Sequence, residues 1–151
     1  MKKIKALMFA FVLAGMTVVS CSDDDNAGPA ATIDGKWNQT KTVVSLNGQS
    51  VTQNYNENVA GCDKNYIEFA AASVFNEAVY FKAAGSGDCQ IDMADAGTWS
   101  KSDATLVINN SGFLAGTYTI TRLTASNLEI ATTDNVGGIT TTSTVFFTKA
   151  N

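Results

Sequence analysis

Between Gly116 and Leu123 the chain sets Tyr118 and Ile120 against Thr117, Thr119 and Thr121. An apolar–polar period of two puts alternate side chains on opposite faces of a strand. The same pattern, with bounding turns, recurs along the chain. Trp37–Leu46 is a run of strand formers that ends at Asn47-Gly48, a strong hairpin-turn signal. Further strands are predicted at Asn65–Ala70, Val74–Lys82, Gly97–Ser100, Ala104–Asn109, Leu128–Thr133 and Ile139–Lys149. Gln49–Lys64 and Ala83–Ala96 read as long loops, the first with room for a short strand near Val51. The count is eight strands, joined by connections too short for crossover helices. An all-β, eight-stranded, antiparallel up-and-down barrel follows, because closure removes the exposed edges of an open sheet. A two-sheet β-sandwich is the alternative.

The parity of the connections orients this barrel. If the first strand runs away from the N-terminal segment, Asn47–Lys64, Ala83–Ala96, Asn110–Gly112 and Asp134–Gly138 gather at the far end. The tight connections Ala71–Ser73, Lys101–Asp103 and Thr124–Asn127 then share the near end with both termini. A barrel of eight strands is just wide enough to be filled by its own side chains or to hold one small ligand. The far rim is therefore where binding is expected.

The first thirty-two residues follow different rules. Lys2, Lys3 and Lys5 precede the apolar run Ala6–Val19, and Ser20-Cys21 follows. A basic start, a short apolar centre and a small residue before the cut form an export signal. The run falls short of the roughly 20 residues a spanning helix needs. Val18-Val19-Ser20-Cys21 resembles a bacterial lipobox, in which cleavage exposes a cysteine that is then acylated. More than one acyl chain on Cys21 would anchor the chain stably, since each buried methylene contributes about 0.8 kcal/mol. Ser22-Asp23-Asp24-Asp25 resembles the acidic signal that sends Bacteroidetes-type lipoproteins to the outer face of the outer membrane. The blander alternatives are a plain secretory signal with a chance cysteine, a solvated start to a linker, and a periplasm-facing anchor. The organisation expected is a signal peptide over 1–20, a lipidated and flexible linker over 21–32, and a barrel domain over 33–151.

Three cysteines are an odd number. Assigning Cys21 to a lipid leaves Cys62 and Cys89, an even pair in an oxidising compartment. Both fall in loops at the far end, so a bridge is geometrically sensible. It would close a loop of about 28 residues and contribute about 3–4 kcal/mol by the loop-entropy relation. Two buried free thiols are the alternative.

Charge and composition mainly exclude. From Ser22 onwards, seven basic residues face fourteen acidic ones, a balance of −7, with Arg122 the one arginine. That leaves no footprint for nucleic acid. The chain contains no histidine, which removes His-based catalytic triads and His metal ligands. No enzyme activity, cofactor or metal is expected. Asp88, Asp92 and Asp95 share one loop, but their spacing matches no EF-hand and reads as a solvated acidic loop.

Gly35-Lys36-Trp37 on the first strand, a cysteine before the second, another in a long loop, and Gly97-Thr98-Trp99 together resemble the Bacteroidetes lipocalin-like domain. The ending Phe146-Phe147-Thr148-Lys149 fits the same pattern, and the resemblance spans residues 33–149. It implies a calycin-type barrel on a lipoprotein anchor. It also implies that Trp37 plugs the closed end behind Gly35, and that Lys149 takes the place of the basic residue that packs over that Trp. Tyr55, Phe81 and Trp99, the last placed nearer the open end, are the candidates for a ligand-binding mouth. Strict alternation puts Lys41 on the Trp37 face and Glu77 among Phe75, Val79 and Phe81. Either polar group would be aimed into the barrel unless a bulge reverses its face.

Two functions follow as expectations. One is a surface-anchored carrier that binds a small apolar or amphipathic molecule, or a short glycan, at the loop-bearing mouth. The other is a filled barrel whose loops contact another protein, such as an outer-membrane partner or an inhibited enzyme.

Overall fold

The computed structural model describes residues 31–92 and 96–150. The processing signal, the lipobox and the acidic Asp23–Asp25 run lie outside the described residues, as does Asp95.

Ten strands form in chain order: β1 (Gly35–Leu46), β2 (Gln49–Asn54), β3 (Tyr66–Ala70), β4 (Val74–Lys82), β5 (Cys89–Asp92), β6 (Gly97–Ser102), β7 (Thr105–Asn109), β8 (Gly116–Leu123), β9 (Asn127–Val136) and β10 (Ile139–Lys149). Among the described residues one 3-10 turn, Ala71–Ser73, interrupts the strands. Eight strands pair in the order β1-β3-β4-β6-β7-β8-β9-β10, all antiparallel, and β10 returns to β1 through Trp37↔Lys149 to Leu46↔Thr141. The sheet closes, so the barrel holds and the sandwich does not.

The two strands beyond eight come from the expected long loops. β1 is longer than its barrel neighbour. Its first residues pair with β3 (Gly35↔Phe69, Trp37↔Ile67), and its distal half pairs with β2 through the Asn47-Gly48 turn. Both turn residues have positive φ, 49° and 78°, as a two-residue hairpin turn requires. β4 repeats the arrangement: its start meets β6 at Val74↔Thr98 and Phe75↔Gly97, and its end folds back on β5 from Val79↔Asp92 to Lys82↔Cys89. A third extension replaces the expected Asp134–Gly138 loop. β9 continues to Val136, turns at Gly137-Gly138 and re-enters as β10. β2 falls where the sequence left room for a short strand near Val51, while β5 and the end of β9 escaped the pattern because hairpins that protrude past the core are exposed on both faces.

The core sits at the end near both termini. Trp37, Phe69, Phe75, Leu106, Leu128 and Ile130 are fully buried there, with Ile108, Val145 and Phe147 packed around them. Removing each such side chain from water is worth about 1.5–3 kcal/mol. Phe69 packs tilted on Phe75, with ring centres 5.5 Å apart, and edge-on to Trp99 at 5.3 Å.

Two faces are settled by register. The β1–β10 ladder slips between Gln39 and Lys41, so Thr40 is an inserted residue. The slip returns Lys41 to the outer face, where its ammonium lies 4.5 Å from the Phe146 ring centre. Thr42 takes the inward position opposite Val145. On β4 no slip occurs. Glu77 pairs with Ile67 in the same ladder as Phe75 with Phe69, so Glu77 faces inward.

Candidate functional site

The closed end is built around Trp37. Its indole N–H donates to the Ile33 carbonyl at 2.7 Å, and the Lys149 ammonium lies 4.3 Å from the ring centre. The same ammonium donates to the Asp34 carbonyl. Gly35 makes room for it: φ is +99°, and a Cβ there would stand 3.0 Å from Lys149 Nζ. Burial holds the Lys149 pKa below its ordinary value, with Asp34 pulling weakly the other way.

Trp99 belongs to this end too. Its indole N–H donates to the Ala70 carbonyl at 3.1 Å, and it lines a groove with Ile33, Ser73 and Leu123. The expectation that Trp99 stands near the mouth is therefore corrected. β5 occupies the distal half of the space beside β4, so β6 begins level with Phe75 and its whole length lies low.

At the opposite end the loop from Tyr55 to Lys64 crosses from β2 to β3, and one residue that the sequence pattern missed secures it. Asn65 is 4% exposed. Its carboxamide N–H groups donate to Tyr55 Oη at 3.0 Å and to the Glu57 carbonyl at 3.1 Å, while its Oδ1 accepts from the Tyr80 N–H at 2.8 Å. Its own backbone N–H donates to Asn58 Oδ1, and its carbonyl accepts from Asn38 Nδ2. A buried amide with every bond made fixes a single loop path. Nothing in the polar run Asn54–Asn65 distinguishes this asparagine from its neighbours. Cys62 and Cys89 form the disulfide, with Cα atoms 5.6 Å apart, and tie that loop to the β4–β5 hairpin.

Above the core the barrel narrows to a recess of ≈ 20 Å³ beside Asn65, Ile67 and Ala78, about the room one water needs. It shares Gln39, Tyr55, Glu77 and Val79 with an open cleft of ≈ 380 Å³. The remaining walls of the cleft are Thr42, Gln53, Asn54, Asn56, Glu57 and Phe113. The strip is therefore rich in amides, holds two carboxylates and two aromatic rings, and contains no lysine or arginine. Phe113, in the β7–β8 connection, is 78% exposed. An aromatic in the turn Asn110-Ser111-Gly112-Phe113 was the available sign of a ring held at the rim.

Glu77 accepts from Asn110 Nδ2 at 3.4 Å. Burial raises the pKa of Tyr55 most, the Asn65 hydrogen bond opposes this, and the negative charges of Glu57 and Glu77 add to the rise. Tyr118 is raised for the same first reason, again with Glu77 contributing. Two carboxylates, Glu57 and Glu77, therefore stand at the cleft wall beside Tyr55. Of the candidate mouth residues, Tyr55 lines the cleft. Phe81 lies on distal β4 opposite Gln90, 42% exposed and outside the cleft wall. Among the described residues no cluster of Cys, Asp and Glu is arranged to hold a metal ion.

Comparison with known proteins agrees with the architecture. The profile of the lipocalin-like domain family matches residues 15–130. A search of the curated proteins gives no match. Barrels of this kind are in general small-molecule binders. With the closed eight-stave sheet and a profile match over most of its length, the chain belongs to the lipocalin-like domain family.

Proposed function

We propose that the protein is a surface-anchored lipoprotein, tethered through an acylated Cys21 and the acidic linker of the Bacteroidetes type, whose barrel mouth binds a small molecule without catalysis. The observation that carries this reading is the ≈ 380 Å³ cleft between Tyr55, Glu77 and Phe113, which lies in the size range of small-ligand sites. Its chemistry narrows the range from apolar cargo towards a short glycan. Gln39, Gln53, Asn54 and Asn56 offer paired donors and acceptors for hydroxyl groups, and the carboxylates of Glu57 and Glu77 accept further hydroxyl protons. The Tyr55 and Phe113 rings can take the C–H face of a sugar. The absence of a basic wall residue disfavours anions. Titration with neutral mono- to trisaccharides, followed by amide shifts in NMR, tests it: shifts confined to Gln53–Glu57 and Phe113 support the reading, and none at millimolar sugar oppose it.

The protein-binding alternative keeps one specific support. The interior is filled, and Val51 and Phe113 stand 71% and 78% exposed at the distal end, where a partner would cover them.

A further inference from the structure

The distal hairpins leave strand edges at β2, at β5 and along the end of β9, and the chain treats them differently; the β9 edge carries Asp134. β5 is four residues long, carries Asp92, and is tied down through Cys89. β2 is six residues long, Gln49-Ser50-Val51-Thr52-Gln53-Asn54, and every one of them is exposed. It ends the strand order beyond β1 and pairs with β1 without a register slip. Natural edges are blunted by charge, proline, bulges or shortness, because unpaired backbone groups template another strand. β2 has none of these features.

The direction of its backbone groups follows from the ladder. Leu46↔Gln49 flanks the two-residue turn, and beyond the far end of β2 the Tyr55 N–H donates to the Thr40 carbonyl at 2.9 Å. Odd-numbered residues therefore bond to β1. The alternation of antiparallel pairing turns the N–H and C=O of Ser50, Thr52 and Asn54 outward.

We propose that this edge joins two copies of the chain, β2 pairing antiparallel with β2 of a second copy about a twofold axis at Val51. In that register Ser50 of each copy exchanges backbone hydrogen bonds with Thr52 of the other. Val51 meets its own counterpart in the close, non-hydrogen-bonded type of pair. One symmetry argument and two observations select a second copy as the occupant. An antiparallel edge paired with itself is isologous, so the assembly closes at two. No charged residue occurs from Thr42 to Asn56, so two copies of a net-acidic chain meet here without like charges opposed. Val51, 71% exposed, pairs with Val44, and Leu46 lies on the same face, 44% exposed. Pairing sets the apolar strips of the two copies side by side and extends the β9-β10-β1-β2 sheet to eight strands. One strand pair buries less than the roughly 1,200 Å² of a stable interface, so the association is weak and depends on concentration.

Sedimentation velocity of the full chain in detergent, over a concentration series, tests this together with cysteine cross-linking on non-reducing gels. The proposal expects a monomer–dimer equilibrium that Val51→Lys abolishes, an exposed change that leaves the barrel intact by circular dichroism. It also expects a cross-linked dimer from Val51→Cys in clear excess over both the unmutated chain and Gln90→Cys on the β5 edge. A chain that stays monomeric throughout, a dimer indifferent to Val51→Lys, or equal cross-linking from both edges overturns it.

Discussion

The Lys149 ammonium stands 4.3 Å from the ring centre of Trp37, and Gly35 is the residue that lets it get there. The three close one end of the barrel together, which explains a Gly-x-Trp start and a basic finish in one contact. The relation also determines what a substitution at Gly35 costs. The end of a lysine can move aside from a new Cβ, but a φ of +99° cannot be occupied by alanine without strain. Gly35→Ala is expected to lower unfolding stability by about 1–3 kcal/mol, read as a reduced urea midpoint. Lys149→Met costs less, about 0.5–2 kcal/mol, the range for a cation over an indole.

Asn65 carries the other end. Asn65→Ala leaves the Tyr80 N–H, the Tyr55 hydroxyl and the Glu57 carbonyl, whose bonds are all part-buried in the parent, without their partner. Each stranded buried group costs about 1–3 kcal/mol, so the total exceeds that of any single loop contact. Hydrogen exchange should rise first in residues 55–64, and at Tyr80, before the core responds. Equal protection in variant and parent would contradict the role given to this residue.

Those two residues show what could be read from the chain. Trp37 was legible through the resemblance carried jointly by Gly35-Lys36-Trp37, Gly97-Thr98-Trp99 and the Phe146–Lys149 ending, and the Tyr118/Ile120 alternation of β8 had one interpretation. Lys41 was not, because an inserted Thr40 changes the face of everything beyond it and leaves no mark in composition. β5 was hidden, and β2 showed only as room for a short strand near Val51, for a different reason. Hairpins that overshoot the core have no buried side, so the period of two that reveals a strand is missing. The height of Trp99 depended on β5 and was lost with it. Asn65 looks like any polar loop residue until its partners are in place.

Alkaline pH separates two kinds of buried group. Tyr118 and Tyr55 have folded-state pKa values raised above the ordinary 10.0. The unfolded chain therefore loses their protons first, and stability falls as pH rises from about 10 through the folded values. Lys149, lowered from 10.5 by burial, works in the opposite direction: its contribution rises as pH climbs through its folded value towards the unfolded one. Urea midpoints followed upwards from about pH 9 should decline in the parent, decline less in Tyr118→Phe, and decline more steeply in Lys149→Met. A parent decline no steeper than that of Tyr118→Phe would show that the tyrosine sign is wrong.

Cys21 separates anchoring from folding. Cys21→Ala should move the protein from the membrane fraction to the soluble fraction of cell lysates while the Cys62–Cys89 bridge and the barrel form as before. Membrane retention unchanged by the substitution contradicts the lipobox reading.

The mouth cleft is the centre of the account, and native mass spectrometry of the protein purified from its own cells addresses it most directly. The account predicts a co-purifying small mass, consistent with a short glycan, that is lost in Tyr55→Ala and in Phe113→Ala while the disulfide and the fold persist. Protein that emerges bare in every preparation, or an adduct retained in both variants, would contradict it.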